Sequence, residues 1–178
     1  SVAPLTSWAA DLNLGRAASA AEVAGWNIDV LPDGTGLPPG KGSVSQGKTV
    51  YQNKCLACHG AKMEGGIGPA LVGGEGSLTT EKPLKTVGSY WPYSSTLFDY
   101  IRRAMPFQAP QSLSNEDVYS VTGYILQANG LMKEDASVDA SSLIAVKMPN
   151  RNGFYVDNRP DAKNTRCMQN CGTATSKK

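Results

Sequence analysis

The sequence predicts an all-α fold: a small helical core with an extended arm at each end. Three observations carry this expectation. Apolar residues recur at helical spacing in three segments between Ser43 and Gly130, each with its own start or stop signal. A strand–helix–strand unit is absent. Residues 131–178 show little periodicity, and Pro32 to Gly40 is dense in Pro and Gly, so both ends read as arms. The expected division is an N-terminal arm over 1–42, a core domain over 43–130 and a C-terminal arm over 131–178.

The N-terminal arm carries Trp8, Leu12, Leu14, Val23, Trp26 and Ile28, and its Ala-rich run from Ala17 to Ala24 predicts a short helix after Arg16. The first core helix begins at Ser43 or Ser45 and places Gly47, Val50, Tyr51 and Cys55 near one face. From Gly65 to Gly76 there are six glycines and one proline, a density no helix tolerates, so this segment is a loop. Ser94 or Ser95 caps a second helix through Leu97, Phe98, Tyr100, Ile101 and Ala104, which stops at Met105 because Pro106 disfavours helical geometry in the residue before it. Ser114 opens a third, with Asp117 at the capping-box position, Val118, Val121, Ile125 and Leu126 inside and Gly130 as its stop.

Composition narrows the function. A net charge of +2 is too small to direct the chain to nucleic acid or an anionic membrane, and no apolar run is long enough for a transmembrane helix. The first residues lack a basic and apolar leader, so the expectation is a mature exported chain whose signal peptide has been removed. With 40% apolar residues, 19 Gly and 11 Pro, the protein core is modest and would gain from a buried prosthetic group.

Cys55-Leu56-Ala57-Cys58-His59 supplies that group. Two thiols at this spacing add to the two vinyl groups of one porphyrin, and the adjacent imidazole reaches the iron, so one covalent haem c is expected. Zinc would need two more ligands, for which only Cys167 and Cys171 are available, and a thioredoxin-like dithiol would need a strand before it. His59 is the single histidine of the chain, so it cannot also be the second axial ligand. Of the five methionines, Met63 follows His59 too closely to reach the opposite face of the porphyrin. Met132, Met148 and Met168 lie in a tail that the pattern does not fix, whereas Met105 ends a helix and is stiffened by Pro106. Met105 is therefore the expected distal ligand, with a Lys or an open iron site as the alternatives.

The remaining site residues follow from what such a haem needs. The carbonyl of Pro69 is expected to hold the free ring N–H of His59. Tyr90, Trp91 and Tyr93 are expected to wall the haem, with the Trp91 N–H or a Tyr hydroxyl reaching a propionate; Arg102 and Arg103 either offset propionate charge or form a solvated helix face, and Phe107 covers the distal edge. Cys167 and Cys171 fit a local disulfide in an oxidising compartment.

Gly47-x-x-x-Tyr51, the haem motif, Gly68-Pro69 and Met105-Pro106 together resemble class I cytochrome c over residues 43–130. More specifically, the stretches Leu31 to Pro38, Gly88 to Tyr93, Thr96 to Pro106 and Lys147 to Phe154 are similar to the cytochrome subunit, SoxD, of bacterial sulfane dehydrogenases. The resemblance implies a class I cytochrome c fold with extended arms, located in the periplasm. It further implies an electron-transfer role without catalysis of its own: electrons are taken from a molybdenum-cofactor dehydrogenase subunit (SoxC-like) in a hetero-oligomer during thiosulfate oxidation and passed to a downstream cytochrome c. Some members carry a second haem domain; this chain has one attachment motif, as a natural one-haem form or as part of a longer subunit. A freely diffusing mono-haem shuttle and a haem enzyme or ligand sensor with an open iron site are the competing functions.

Overall fold

The computed structural model describes residues 15–159. Within them lie six α-helices, α1 (Ala20–Trp26), α2 (Val44–Lys54), α3 (Leu56–His59), α4 (Ser94–Ala104), α5 (Asn115–Ala128) and α6 (Ala140–Ile144), and two short strands, β1 (Gly42–Ser43) and β2 (Ser137–Val138). The expected Cys167–Cys171 disulfide and Met168 lie outside the described residues, as do Trp8, Leu12 and Leu14.

Serine caps set where the core helices begin. Ser43 Oγ accepts from the Gln46 N–H at 3.2 Å to open α2, and Ser114 Oγ accepts from the Asp117 N–H at 3.1 Å to open α5. Asn129 caps the C-terminus of α5, and Gly130 follows with φ of 71°, the left-handed geometry that ends helices. A capping box of Ser19 and Glu22 starts α1, none of whose residues is buried.

α5 is the centre of the domain, with Val118, Tyr119, Val121, Ile125 and Leu126 buried. α2 crosses it at a point of very close approach. A Cβ on Gly47 would lie 1.9 Å from the Ser120 carbonyl oxygen, so only glycine lets the two backbones meet there. One turn on, Tyr51 is buried on the same face, packs edge-on against Tyr124 at 5.6 Å and donates its hydroxyl to the Gly60 carbonyl at 2.8 Å. α4 packs on α5 through Leu97, Phe98 and Ile101, with the Phe98 and Tyr119 ring centroids 4.5 Å apart.

Among the described residues, the inner parts of both expected arms pack on the core, while α1 and residues 151–159 stay exposed. β1 pairs antiparallel with β2, in the register Gly42 with Val138 and Ser43 with Ser137, and Val138, Leu143 and Met148 are all buried in the main core. Residues 131–150 thus complete the domain. A two-residue strand and a five-residue helix are too short to produce a readable period, which is why the sequence pattern missed them. On the N-terminal side Val30 is buried and its N–H donates to the Asp99 carboxylate at 3.0 Å.

Ser94 and Ser95 also depart from expectation. Tyr93 occupies the N-cap of α4 without a side-chain hydrogen bond, and both serines sit inside the first turn. Ser94 Oγ donates to the Leu143 carbonyl at 2.6 Å and Ser95 Oγ to the Pro32 carbonyl at 3.0 Å. These hydroxyls fasten the two terminal segments to α4.

Two substitutions test this packing by urea denaturation of the haem-loaded protein. Gly47→Ala is expected to destabilise by about 2 kcal/mol or more, because the overpacking cost at a backbone contact exceeds the roughly 1 kcal/mol gained in helix propensity. Leu143→Ala is expected to cost about 2–5 kcal/mol as a core truncation, whereas a residue of an unpacked arm would change stability by less than about 0.5 kcal/mol.

Candidate haem site

Lys54 ends α2, Cys55 is its C-cap and α3 begins at once with Leu56, so the two thiols and His59 fall on one short helical turn. Their position is inherited from α2, which the Gly47 crossing locks against α5. The loop after α3 is stitched to it: the Gly65 N–H donates to the His59 carbonyl at 2.8 Å, and the Gly68 N–H to the Cys58 carbonyl at 2.9 Å. A Cβ on Gly68 would stand 3.0 Å from His59 Cε1 and 3.1 Å from Nδ1, so the absence of a side chain lets the loop lie against the imidazole. Asn129, at the end of α5, donates its Nδ2 to the Leu71 carbonyl at 3.2 Å and ties the far end of the loop to the core.

His59 Nδ1 lies 2.8 Å from the Pro69 carbonyl oxygen. A carbonyl can only accept, so the proton sits on Nδ1 and the lone pair on Nε2, which is the state a metal-ligating imidazole needs. This contact is the one expected from the sequence.

Cys55, Cys58, His59 and Met105 all line one cleft of about 480 Å³, walled largely by apolar side chains including Leu71, Val87, Leu97, Val121 and Ile125. Met105 is the C-cap of α4, its N–H donating to the Ile101 carbonyl at 3.0 Å, and a cis peptide bond joins it to Pro106. Two thiols, an imidazole with a free Nε2 and a thioether converge on an apolar slot: this donor set fits a covalently tethered haem. Met63 is buried in the core and does not line the cleft. A larger hollow of about 770 Å³ beside α1 is a shallow surface feature without converging donors.

The Cys55 thiol does not have the character of a reactive dithiol. Burial, with the neighbouring Cys58 adding to it, pushes the Cys55 thiol up to about 11, the reverse of the lowered value of a reactive or metal-binding thiolate. Among the described residues no group of three or more His, Cys, Asp or Glu side chains could hold a metal ion.

Other expected site residues divide. Trp91 lines the cleft and packs edge-on against Tyr100, centroids 5.7 Å apart, and Phe107 lines its mouth while 78% exposed. Arg102 does not line it: its Nη1 donates to the Ile28 carbonyl at 3.2 Å, because its place on α4 faces the N-terminal segment. Arg103 likewise turns away, to Asp99 at 2.9 and 3.0 Å. Tyr90 and Tyr93 also lie outside the cleft. Lys54 and Lys85 line it without having been singled out. Lys54 adjoins the motif and could have been noticed; no sequence signal marks Lys85.

Tyr51, beneath the motif, gives the site a pH signature. Burial raises its hydroxyl to about 12, so between pH 10 and 12 the folded chain keeps a proton that the unfolded chain has lost. The stability from this group is complete below pH 10 and falls as pH rises through 12. Tyr51→Phe is expected to cost about 1 kcal/mol at neutral pH through the lost hydrogen bond and to flatten part of the alkaline loss, read from urea midpoints between pH 8 and 12.

Comparison with known proteins agrees with this geometry. Residues 42–125 match the family described as cytochrome c oxidase, cbb3-type, subunit III. A thiosulfate dehydrogenase of Allochromatium vinosum is 31% identical over 118 residues, covering 60% of this chain and 37% of that protein, so the chain spans little more than a third of this curated relative. The crystal structure of the sulfane dehydrogenase SoxCD from Paracoccus pantotrophus superimposes with a TM-score of 0.78 at 42% identity, covering 94% of this chain and 85% of the matched one. No helix among the described residues is long and apolar enough to cross a membrane. With that identity over most of a solved chain, and with a cleft shaped for the group, this chain belongs to the class I cytochrome c family and carries a covalently bound haem c.

Proposed function

We propose that the chain is the periplasmic electron-transfer subunit of a sulfane or sulfite dehydrogenase complex, receiving electrons from a molybdenum-containing partner subunit and passing them to a downstream cytochrome c. The observation that carries this reading is the likeness to the SoxCD structure, which extends over 94% of the chain and so takes in the flanking segments as well as the haem domain. Its own chemistry is confined to one-electron relay, with catalysis left to the partner.

Cys55 and Cys58 are the thiols that would tether the haem, and His59 and Met105 the side chains that would ligate its iron. The haem, when bound, supplies an iron that alternates between ferric and ferrous. Pro69 holds the His59 proton on Nδ1 and so leaves the Nε2 lone pair free to ligate a metal. Leu97, Val121 and Ile125 give the cleft an apolar wall, which would favour the less charged, reduced state of a bound haem. A thioether ligand from Met105 raises the potential further. Trp91 lines the cleft and carries an indole N–H donor.

The second reading is a freely diffusing shuttle. It is favoured by the burial of Val30, Leu143 and Met148, since segments that fold back on their own domain need no partner to cover them. Purification from the native host separates the two: co-elution with a molybdenum-containing protein is expected, and elution as a monomer free of molybdenum would establish the shuttle.

The ligand assignment has its own test. Met105→Ala is expected to lower the reduction potential and abolish the weak near-infrared sulfur-to-iron band, and an unchanged potential would show another ligand. His59→Ala is expected to leave no assembled holoprotein by haem staining. Rapid carbon monoxide binding by the unmodified protein would instead mean an open iron site.

A further inference from the structure

The cleft holds an asymmetry of charge that the ligand set does not explain. Two cations line it, Lys54 and Lys85, and no Asp or Glu does. The other titratable groups on its walls are Cys55, Cys58, His59 and Tyr100. A haem tethered through its vinyl edge by Cys55 and Cys58 carries its two carboxylates on the opposite edge. Lys54 is bonded directly to Cys55 and therefore stays with the tethered edge. Lys85 comes from a separate segment, and Trp91 and Tyr100, which line the same cleft in edge-on contact with each other, add an N–H and an O–H that are neutral donors suited to the same kind of group.

Lys85 is held in place from both directions along the chain. The Leu84 carbonyl accepts Ser89 Oγ at 2.6 Å and the Leu84 N–H donates to Ser77 Oγ at 3.0 Å. On the other side the Thr86 N–H donates to Ser89 Oγ at 2.9 Å, while Thr86 Oγ1 donates to the Gly73 carbonyl at 2.6 Å. The ammonium lies 4.9 Å from the centroid of the Tyr90 ring, a cation–π contact that limits where the flexible side chain points. Tyr90 is clamped in turn by the C-terminal segment: Asn150 Nδ2 donates to its carbonyl at 2.7 Å and Phe154 packs edge-on at 5.3 Å. Arg102, the residue whose type first points to this task, is committed to Ile28.

We propose that Lys85 is the counter-ion of the carboxylate edge of the haem, steadied by Tyr90 and, through it, by Asn150 and Phe154. The assignment rests on Cys55 and Cys58 being the attachment thiols. A fixed cation beside the cofactor stabilises the state with one more electron, so Lys85 sets part of the reduction potential, and the C-terminal segment bears on that potential through the tyrosine.

The test uses the holoprotein with Lys85→Gln, Lys85→Arg, Lys54→Gln and Tyr90→Leu. Lys85 is solvent-exposed, so its replacement spares the core. Against a fixed mediator, Lys85→Gln is expected to shift the reduced-to-oxidised ratio toward the oxidised form by roughly three- to tenfold, tenfold being about 59 mV for one electron. Its redox-difference infrared spectrum should show a displaced cofactor carboxylate band. Lys85→Arg should restore both, and Tyr90→Leu, which keeps the charge but frees it, should fall between. An unchanged potential and carboxylate band in Lys85→Gln would overturn the proposal, as would Lys54→Gln reproducing both changes. Mass spectrometry of the peptide containing Cys55 and Cys58 judges the attachment itself: absence of a haem adduct there would refute the thiol assignment, independently of what Lys85 does.

Discussion

The contact of α2 with α5 at Gly47 is the constraint from which the site follows. With no side chain between them, the Gly47 backbone rests on the Ser120 carbonyl, and this contact sets where α2 ends. Cys55 caps that end, and α3 then carries Cys58 and His59 without an intervening loop. The imidazole is consequently placed by helix packing, and the glycine loop has only to supply the Pro69 carbonyl. α5 also contributes Val121 and Ile125 to the cleft, so one helix both positions the proximal side and walls the pocket.

What could be read in the amino-acid sequence was chemistry that is local along the chain. The attachment motif, the Pro69 acceptor and the helix stop at Met105 each depend on residues no more than ten positions apart, and the structure places all of them about one cleft. The presence of a single histidine was informative for a different reason, since it removes an option whatever the fold. Arg102 shows where such reading stops. Its type suits a carboxylate, but which way it faces is decided by the packing of the N-terminal segment on α4, a contact between residues far apart in sequence. Ser94 and Ser95 were recognised as residues with a structural task, and the task proved to be tertiary instead of local.

The closing segments were hidden by their brevity. β2 and α6 bury Val138 and Leu143, yet neither is long enough to repeat a pattern. Lys85 was hidden by its ordinariness: a lysine in a polar loop is unremarkable until Thr86 and Ser89 are seen to fix its backbone.

The fastening of α4 has a mechanical consequence. Its first turn is held by Leu143 and Pro32, Asp99 in its middle holds Val30, and its last residue hands over to Met105. The proposed distal ligand therefore hangs from a helix braced along its length by both ends of the domain. Such a mounting would leave a Met105 sulfur little room to move beside a bound iron that changes charge. The reorganisation accompanying each electron would thereby be small, the property that lets a relay accept and release at nearly equal cost.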